Sequence, residues 1–265
     1  EYHGHDFAFE EHAAALRESL GEAVDPAPAG PSRGVAAESE VWEAFHSTHA
    51  TGRFFQPKRV VVGEFATQLA TARRVLDVGC GNGSTAIAIA SALPVVVTAI
   101  DTAPSAVRLC QAAADAAGVP VSAAVCDVCD PEFKPPASCD TATCVFVLSA
   151  VPQEFRAAAL GNVVSCVEGG GRVLFRDYGI YDMAHMRFAR GGTPMESCGE
   201  HGSVQCRRPD GTLAVFFSVE DVCALFGAAG LEVEEAEYHT VINSSRKREF
   251  VMKRVFVHCV GRKRA

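Results

Sequence analysis

No stretch of this 265-residue chain reaches about 18 uninterrupted apolar residues, so a membrane-spanning helix is not expected. The first twenty residues have neither a basic start nor an apolar core, which argues against a secretory signal and leaves open a trimmed organelle-targeting segment. A paired cysteine framework is also missing. Eleven cysteines, most of them inside apolar runs such as TATCVFVLSA, read as free, buried thiols of a reducing compartment, not as a disulfide scaffold. Cys126 and Cys129 make a single C-x-x-C with no matched second pair, so no metal is expected. Net positive charge is lacking as well, and the total of -8 argues at first against a nucleic-acid partner.

Located along the chain, that charge reads differently. Residues 1–43 carry ten acids against Arg17 and Arg33, which accounts for the whole -8, and the remainder is neutral. Within that remainder, residues 246–265 hold eight basic residues against Glu249, a local +7 able to steer a polyanion. Hydrophobic residues at 48% and a mean hydropathy of +0.12 indicate a folded chain, and the length suits one large α/β unit. Residues 1–38 read as an acidic, flexible leader, because 21–34 are rich in Pro, Gly and Ala with little to bury. The folded part is expected over 39–265.

Ser39 is placed to cap a helix carrying Val41, Trp42, Phe45 and His49, and a second apolar helix is expected over 60–69, so that 39–71 form helical elements facing a substrate. Strand and helix then alternate from 73 to 177. Strands are expected at 73–78, 94–101, 121–127, 139–149 and 172–177, with Pro104 and Gly118 bracketing one helix and Gly169, Gly170 and Gly171 forming a turn before the fifth strand. Such alternation implies βαβ units and a mostly parallel sheet covered on both faces. Residues 178–217 interrupt the rhythm with a long, charged and aromatic insertion, which reads as a lid or substrate platform. A helix over 218–230 and two further strands follow.

The sharpest motif runs from Val75 to Gly83, a strand passing into a Gly-x-Gly-x-Gly turn and then a helix. Glycine lets the backbone turn sharply and approach a ligand lying over the strand ends, and Asp101 ends the next strand, placed for ribose hydroxyls. Ser84 stands where a dinucleotide fingerprint has its third glycine, which weakens a pyrophosphate reading. Asp77 before the turn suits a ligand with a positive amino group and a sulfonium, namely S-adenosylmethionine, and Asp127 at the third strand end is placed to accept from the adenine amine.

From Trp42 onward the chain resembles the tRNA 3-methylcytidine methyltransferases, the methyltransferase-like group acting on position 32 of the anticodon loop. The residues carrying the resemblance are Trp42 to His46, Arg53-Phe54-Phe55, VLDVGCGNG, Phe146 to Pro152, Arg176 to Asp182, Arg187-Phe188, Asp210-Gly211-Thr212, Phe216-Phe217 and Met252 to Val255. The resemblance implies a class I S-adenosylmethionine-dependent methyltransferase fold, Rossmann-like, with a mostly parallel seven-stranded sheet and an insertion after the fifth strand. It puts cofactor contacts on Trp42, His46, Gly79, Asp101, Asp127 and Val145, beside Asp77 and Gly81 of the turn, with S-adenosylhomocysteine as product. His46 stands where the family has tyrosine, and Gln56-Pro57-Lys58 where it reads Lys-Asp-Arg. The implied partner is tRNA, with an aminoacyl-tRNA synthetase or another tRNA-modifying enzyme as a helper, no DNA and no membrane, in the cytoplasm or also the nucleus.

The N3 lone pair of cytosine attacks a methyl sulfonium directly, so no base is needed; the base must instead be unstacked and held. Phe54, Phe55, Tyr178 and Phe188 are candidate stacking faces, and Arg53, Lys58, Arg187, Arg246 and Arg254 candidate contacts to phosphate or base. Methylation makes the base cationic, and Asp177 at the end of the fifth strand is the candidate catalytic carboxylate that stabilises this charge. The alternative is a weakly active or inactive subunit that binds tRNA and presents it to a partner enzyme.

Overall fold

The computed structural model describes residues 2–20, 27–28, 34–49, 59–245 and 250–265. First come helix α1 (Phe9–Leu20), a two-residue strand β1 (Ala27–Pro28), and helices α2 (Val35–Thr48), α3 (Arg59–Glu64) and α4 (Ala66–Leu69). Strands and helices then alternate: β2 (Arg74–Val78), α5 (Ala86–Ala92), β3 (Val96–Asp101), α6 (Pro104–Ala117), β4 (Val121–Val125), β5 (Cys139–Val145), a 3-10 turn η1 (Leu148–Ala150), α7 (Gln153–Cys166) and β6 (Val167–Tyr178). After β6 come α8 (Met183–Arg190), β7 (Glu196–Ser197), β8 (Val204–Arg207) and β9 (Leu213–Phe216), followed by α9 (Val219–Ala228), β10 (Leu231–Ser245) and β11 (Phe250–Lys263).

Seven strands form the main sheet in the order β10-β11-β6-β5-β2-β3-β4. Only β11 runs against the others, between β6 and β10. The expected mostly parallel, seven-stranded sheet is therefore present. Its central strands are apolar on both faces: Val75, Leu76 and Val78 of β2 are each no more than 1% exposed. Alternate residues feed two cores. Leu76, Ala142, Val173 and Phe175 pack with Leu160 and Val163 of α7 and Phe226 of α9. Val75, Val97, Val145 and Leu174 pack with Val61, Phe65, Ile89 and Cys110 of the other helical layer. Each large side chain so buried contributes about 1.5–3 kcal/mol, enough for these two layers to set the register of every strand.

Four local expectations are corrected. Helix α2 starts at Val35 with Gly34 before it, so Ser39 lies inside the helix and bonds to Asp127 and Thr102 instead of capping. The helix expected over 60–69 breaks between Glu64 and Ala66. The three glycines at 169–171 belong to β6, which follows α7 directly; a Cβ on Gly171 would meet the Asp140 carbonyl oxygen at 2.5 Å.

The fourth concerns the leader. Residues 2–20, expected to be flexible, are structured and packed. Thr240 N donates to Gly4 O and Asp6 N to Thr240 O, at 2.6 and 2.9 Å, and Phe9 stacks on Tyr238 with ring centroids 3.7 Å apart. Three of the acids in the charge count, Glu10, Glu11 and Glu18, are exposed, while Ala13 on the inner side of α1 is fully buried. Charge composition hid an amphipathic helix. Most of the proposed linker, 21–34, lies outside the described residues.

The segment after β6 builds a second, small sheet, edged by β1 from the amino-terminal side, in the order β1-β7-β8-β9. It is anchored from below by the buried Arg156 of α7, which donates to Val151 O, Cys198 O and Gln205 Oε1 at 2.8, 3.3 and 2.9 Å.

Candidate functional site

A cavity of about 570 Å³ opens over the carboxyl ends of the parallel strands, walled by α2, the glycine turn after β2, η1 and the insertion. Gly79 has φ +61° and Gly81 φ +54°, a left-handed backbone that glycine adopts without strain. A Cβ on Gly79 would come within 2.7 Å of Val147 Cγ2, so the close approach of turn to η1 depends on glycine there. Asp101 then fixes the turn: its two oxygens accept from Gly81 N and Ala103 N, each at 2.9 Å. Burial pushes the Asp101 carboxyl above its ordinary range and the His46 imidazole below its own.

Seven of the eight expected cofactor residues line this cavity: Trp42, His46, Gly79, Gly81, Asp101, Asp127 and Val145. Asp127 accepts from Cys129 N at 2.8 Å and Ser39 Oγ at 3.2 Å, which ties the third strand end to α2. The indole Nε1 of Trp42 is buried with no hydrogen-bond acceptor among the described residues. A buried N–H of that kind can donate to a polar group that enters the cavity. Asp77 is the exception. It is 1% exposed and lies beneath the turn, accepting from Ala86 N at 3.1 Å and Thr143 Oγ1 at 2.7 Å, so it holds the start of α5 and does not face the cavity.

The other end of the cavity is aromatic and basic. Tyr178, Phe146 and Phe256 cluster there, with the Phe146 and Tyr178 centroids 4.7 Å apart. Phe146 has φ +61°, a conformation costing of order 1–3 kcal/mol in a bulky residue, and its ring is held in that aromatic cluster. Arg254 lies 5.1 Å from the Phe256 centroid and Arg208 5.8 Å from that of Tyr178. Arg187 and Phe188 of α8 complete this wall, with the guanidinium 5.0 Å from the ring. Arg254 is also gripped by the fully buried Asp182 at 2.8 and 3.3 Å.

Asp177 is placed otherwise than expected. It is fully buried and does not line the cavity; its carboxylate accepts from Ser149 N at 3.0 Å and Tyr178 N at 2.9 Å. Neighbours in a strand point to opposite faces, so at the end of β6 Tyr178 takes the cavity side and Asp177 the side beneath η1. It is a positioning group for the η1 wall and makes no contact of its own with the cavity. Arg53, Phe54, Phe55, Gln56, Pro57, Lys58 and Arg246 lie outside the described residues. Residues not singled out as binding groups by the sequence reading, Ser39, Phe146, Arg208 and Phe256, also line the cavity. Phe146 belonged to the marked run Phe146 to Pro152 and Arg208 to the insertion 178–217; Ser39 and Phe256 carried no binding signal.

Residues 75–171 match a family model described as a methyltransferase domain. In solved structures the same architecture recurs. An S-adenosylmethionine-dependent methyltransferase from Anabaena variabilis is similar with a TM-score of 0.67 at 14% identity, covering 90% of this chain and 98% of that one. The Burkholderia thailandensis 1,6-didemethyltoxoflavin-N1-methyltransferase, solved with S-adenosylhomocysteine, gives 0.63 at 17% identity, covering 89% and 93%. The fold is thus that of the class I methyltransferases. Among curated relatives, human tRNA N(3)-cytidine methyltransferase METTL2B is 32% identical over 76% of this chain and 52% of its own length. The bovine METTL2 protein of the same description is 29% identical over 98% of the chain and 64% of its own length. The chain therefore spans between half and two thirds of these two relatives. It covers 91% of the Schizosaccharomyces pombe tRNA N(3)-methylcytidine methyltransferase trm141, at 30% identity over 84% of the chain. With that identity over nearly the full length of a relative, the chain belongs to the tRNA N(3)-cytidine methyltransferase family.

Proposed function

We propose that this chain transfers a methyl group from S-adenosylmethionine to N3 of cytidine 32 in the anticodon loop of tRNA. The observation that carries the reading is the two-ended cavity: acids and the glycine turn at one end, aromatic faces and guanidinium groups at the other. Residues 39–265 are read as the methyltransferase domain and 178–217 as its substrate-facing part.

The acidic end fits the cofactor. Gly79 and Gly81 let the backbone come close, Asp101 and Asp127 offer acceptors, and the buried Trp42 N–H has a donor to give. When bound, S-adenosylmethionine supplies an activated methyl group. The chain's own residues then do the work of placement. Tyr178 and Phe146 offer faces for an unstacked cytosine, and Arg254, Arg208 and Arg187 offer hydrogen bonds to its O2 or to flanking phosphates. No side chain need remove a proton, because N3 of cytosine carries its lone pair at neutral pH.

Support for tRNA as the substrate class is the naming of the family's members. An aminoacyl-tRNA synthetase or another tRNA-modifying enzyme is proposed as helper, in the cytoplasm or nucleus where tRNA is processed. Among the described residues no helix is long and apolar enough to cross a membrane. The test is nucleoside mass spectrometry of total tRNA incubated with the protein and S-adenosylmethionine, with and without cell extract. Accumulation of 3-methylcytidine at position 32 is expected. If the cofactor binds and tRNA binds but no methylated base forms under either condition, the non-catalytic, tRNA-presenting reading replaces this one.

A further inference from the structure

We propose that Glu64, His239 and His258, with Tyr2 as fourth donor, form a binding site for one zinc-class divalent transition-metal ion. None of the four lines the methyl-transfer cavity, and the inference does not rest on the function proposed above. The donors come from four separate places: the amino-terminal segment, α3, β10 and β11. Such a set is invisible to sequence spacing, which is why the sequence reading expects no metal.

The geometry is that of a closing coordination shell. Glu64 Oε1 lies 3.2 Å from His239 Nδ1 and 3.0 Å from His258 Nδ1, and Tyr2 Oη touches His239 Nδ1. Tetrahedral zinc with bonds of 2.0–2.1 Å holds its donors about 3.3 Å apart, so one ion fits among them with small adjustments. The second oxygen of Glu64 is taken by the Arg176 guanidinium, which leaves Oε1 alone to face the two imidazoles. Arg176 also donates to Tyr2 Oη at 3.2 Å and so fixes the fourth donor.

Both histidines carry an outer carboxylate on the opposite ring nitrogen. His239 Nε2 is 3.1 Å from Glu237 Oε1, and His258 Nε2 is 3.3 Å from Glu235 Oε2. Gln68 Nε2 donates to the other Glu235 oxygen at 2.8 Å and orients it. Metal-bound histidines characteristically donate their free N–H to such a group, which fixes the tautomer and raises the basicity of the ligating nitrogen.

Without an ion this arrangement conflicts with the hydrogen-bonding capacity of imidazole. A neutral ring has one donor and one acceptor nitrogen, yet each of these rings faces acidic oxygens at both. The Tyr2 hydroxyl can donate to His239 Nδ1, but Glu64 Oε1 at 3.2 Å then faces the same lone pair, and His258 has one N–H for two carboxylates. The two rings are stacked with centroids 4.5 Å apart, and His239 and His258 are 4% and 2% exposed, so the two Nδ1 atoms and Glu64 converge in a buried space. An ion at the Nδ1 side removes the conflict: Nε2–H donates outward to Glu235 and Glu237 while the Nδ1 lone pairs and Glu64 converge on the metal. Charge agrees. Three carboxylates against Arg176 leave a deficit of two, which one divalent cation fills. Two imidazoles with a single carboxylate favour zinc and its neighbours over magnesium or calcium.

The test uses the full chain without an affinity tag, stripped with a chelator and titrated with Zn²⁺, with Co²⁺ as a visible probe of coordination. One equivalent of Zn²⁺ and the intense visible absorption of tetrahedral Co²⁺ are expected. His258→Asn should abolish both. Glu235→Gln and Glu237→Gln alter exposed side chains outside the donor set, so they leave the fold intact and should weaken Zn²⁺ affinity by about 10–100-fold. Absence of stoichiometric binding in the parent chain overturns the proposal. So does an affinity unchanged by the two glutamine variants, whether or not His258→Asn folds, because binding would then reside on other histidines such as His3 or His12.

Discussion

Arg207 of β8 grips Glu38 of α2 with both terminal nitrogens, and the pair joins two parts of the cavity wall that lie far apart in sequence. The Glu38 side chain is 6% exposed and that of Arg207 30%, so cutting the pair strands a mostly buried carboxylate. Arg207→Ala should lower stability by about 2 kcal/mol, less than for a fully buried pair because water reaches the arginine. Lysine cannot reproduce a two-pronged contact, so Arg207→Lys should recover less than half of the loss. Chemical denaturation of the three proteins checks both statements.

Trp42 is the only tryptophan of the chain and lines the cavity, so the intrinsic fluorescence should change on S-adenosylmethionine binding and serve as a titration signal. Asp101→Asn should weaken that binding by about 1–3 kcal/mol, through loss of a charged acceptor and of the bond that holds Gly81. An affinity equal to that of the parent chain would remove Asp101 from the cofactor contacts.

Burial lifts the Asp177 pKa from 3.8 to about 6, against the hydrogen bonds from Ser149 and Tyr178 that favour its charge. A folded-state pKa above the unfolded one means that the contribution is fully present below about pH 4 and is lost as the pH rises through 6. The window is worth about 3 kcal/mol. Stability measured by denaturant between pH 4 and 7 should therefore carry a falling component that is missing in Asp177→Asn. Identical slopes in the two proteins would show that the carboxylate is not protonated in the fold.

Arg208 and Arg254 face the same aromatic group but should respond differently to truncation. Among the described residues the Arg208 side chain bonds to Thr212 Oγ1 and Leu213 O, both close in sequence, so Arg208→Ala should spare the fold while weakening tRNA binding and reducing its salt slope by about one. Arg254→Ala strips the buried Asp182 of its ion pair and should lower the melting temperature as well. Filter binding across ionic strengths, with a thermal melt of each variant, separates the two.

The glycine turn and the acids at successive strand ends were legible because local backbone geometry dictates them: a left-handed turn calls for glycine whatever the rest of the chain does. Facing was not. Asp77 and Asp177 stand at the ends of strands as expected, yet period-two alternation says only that neighbours point apart, and tertiary packing decides which one meets the cavity. The acidic leader misled for another reason. Glu10, Glu11 and Glu18 are on the outer side of α1, and a count of charges carries no direction. Ser39 looked like a cap because it precedes an apolar run, but the helix extends back to Val35, and the hydroxyl was free to reach Asp127.

Because β11 sits between β6 and β10, the sheet cannot be completed in chain order. While the chain folds, β6 keeps an open edge and β10 has no neighbour until β11 arrives, across a separation of some seventy residues from the end of β6. Contacts that distant are slow to form, and the open β6 edge is a template for pairing with another chain in the meantime. The amino-terminal segment waits on the same event, since its bonds to Thr240 require β10 to be in place. Truncations that remove β11 should therefore yield aggregates in place of a smaller folded protein, and refolding yield should fall steeply with protein concentration.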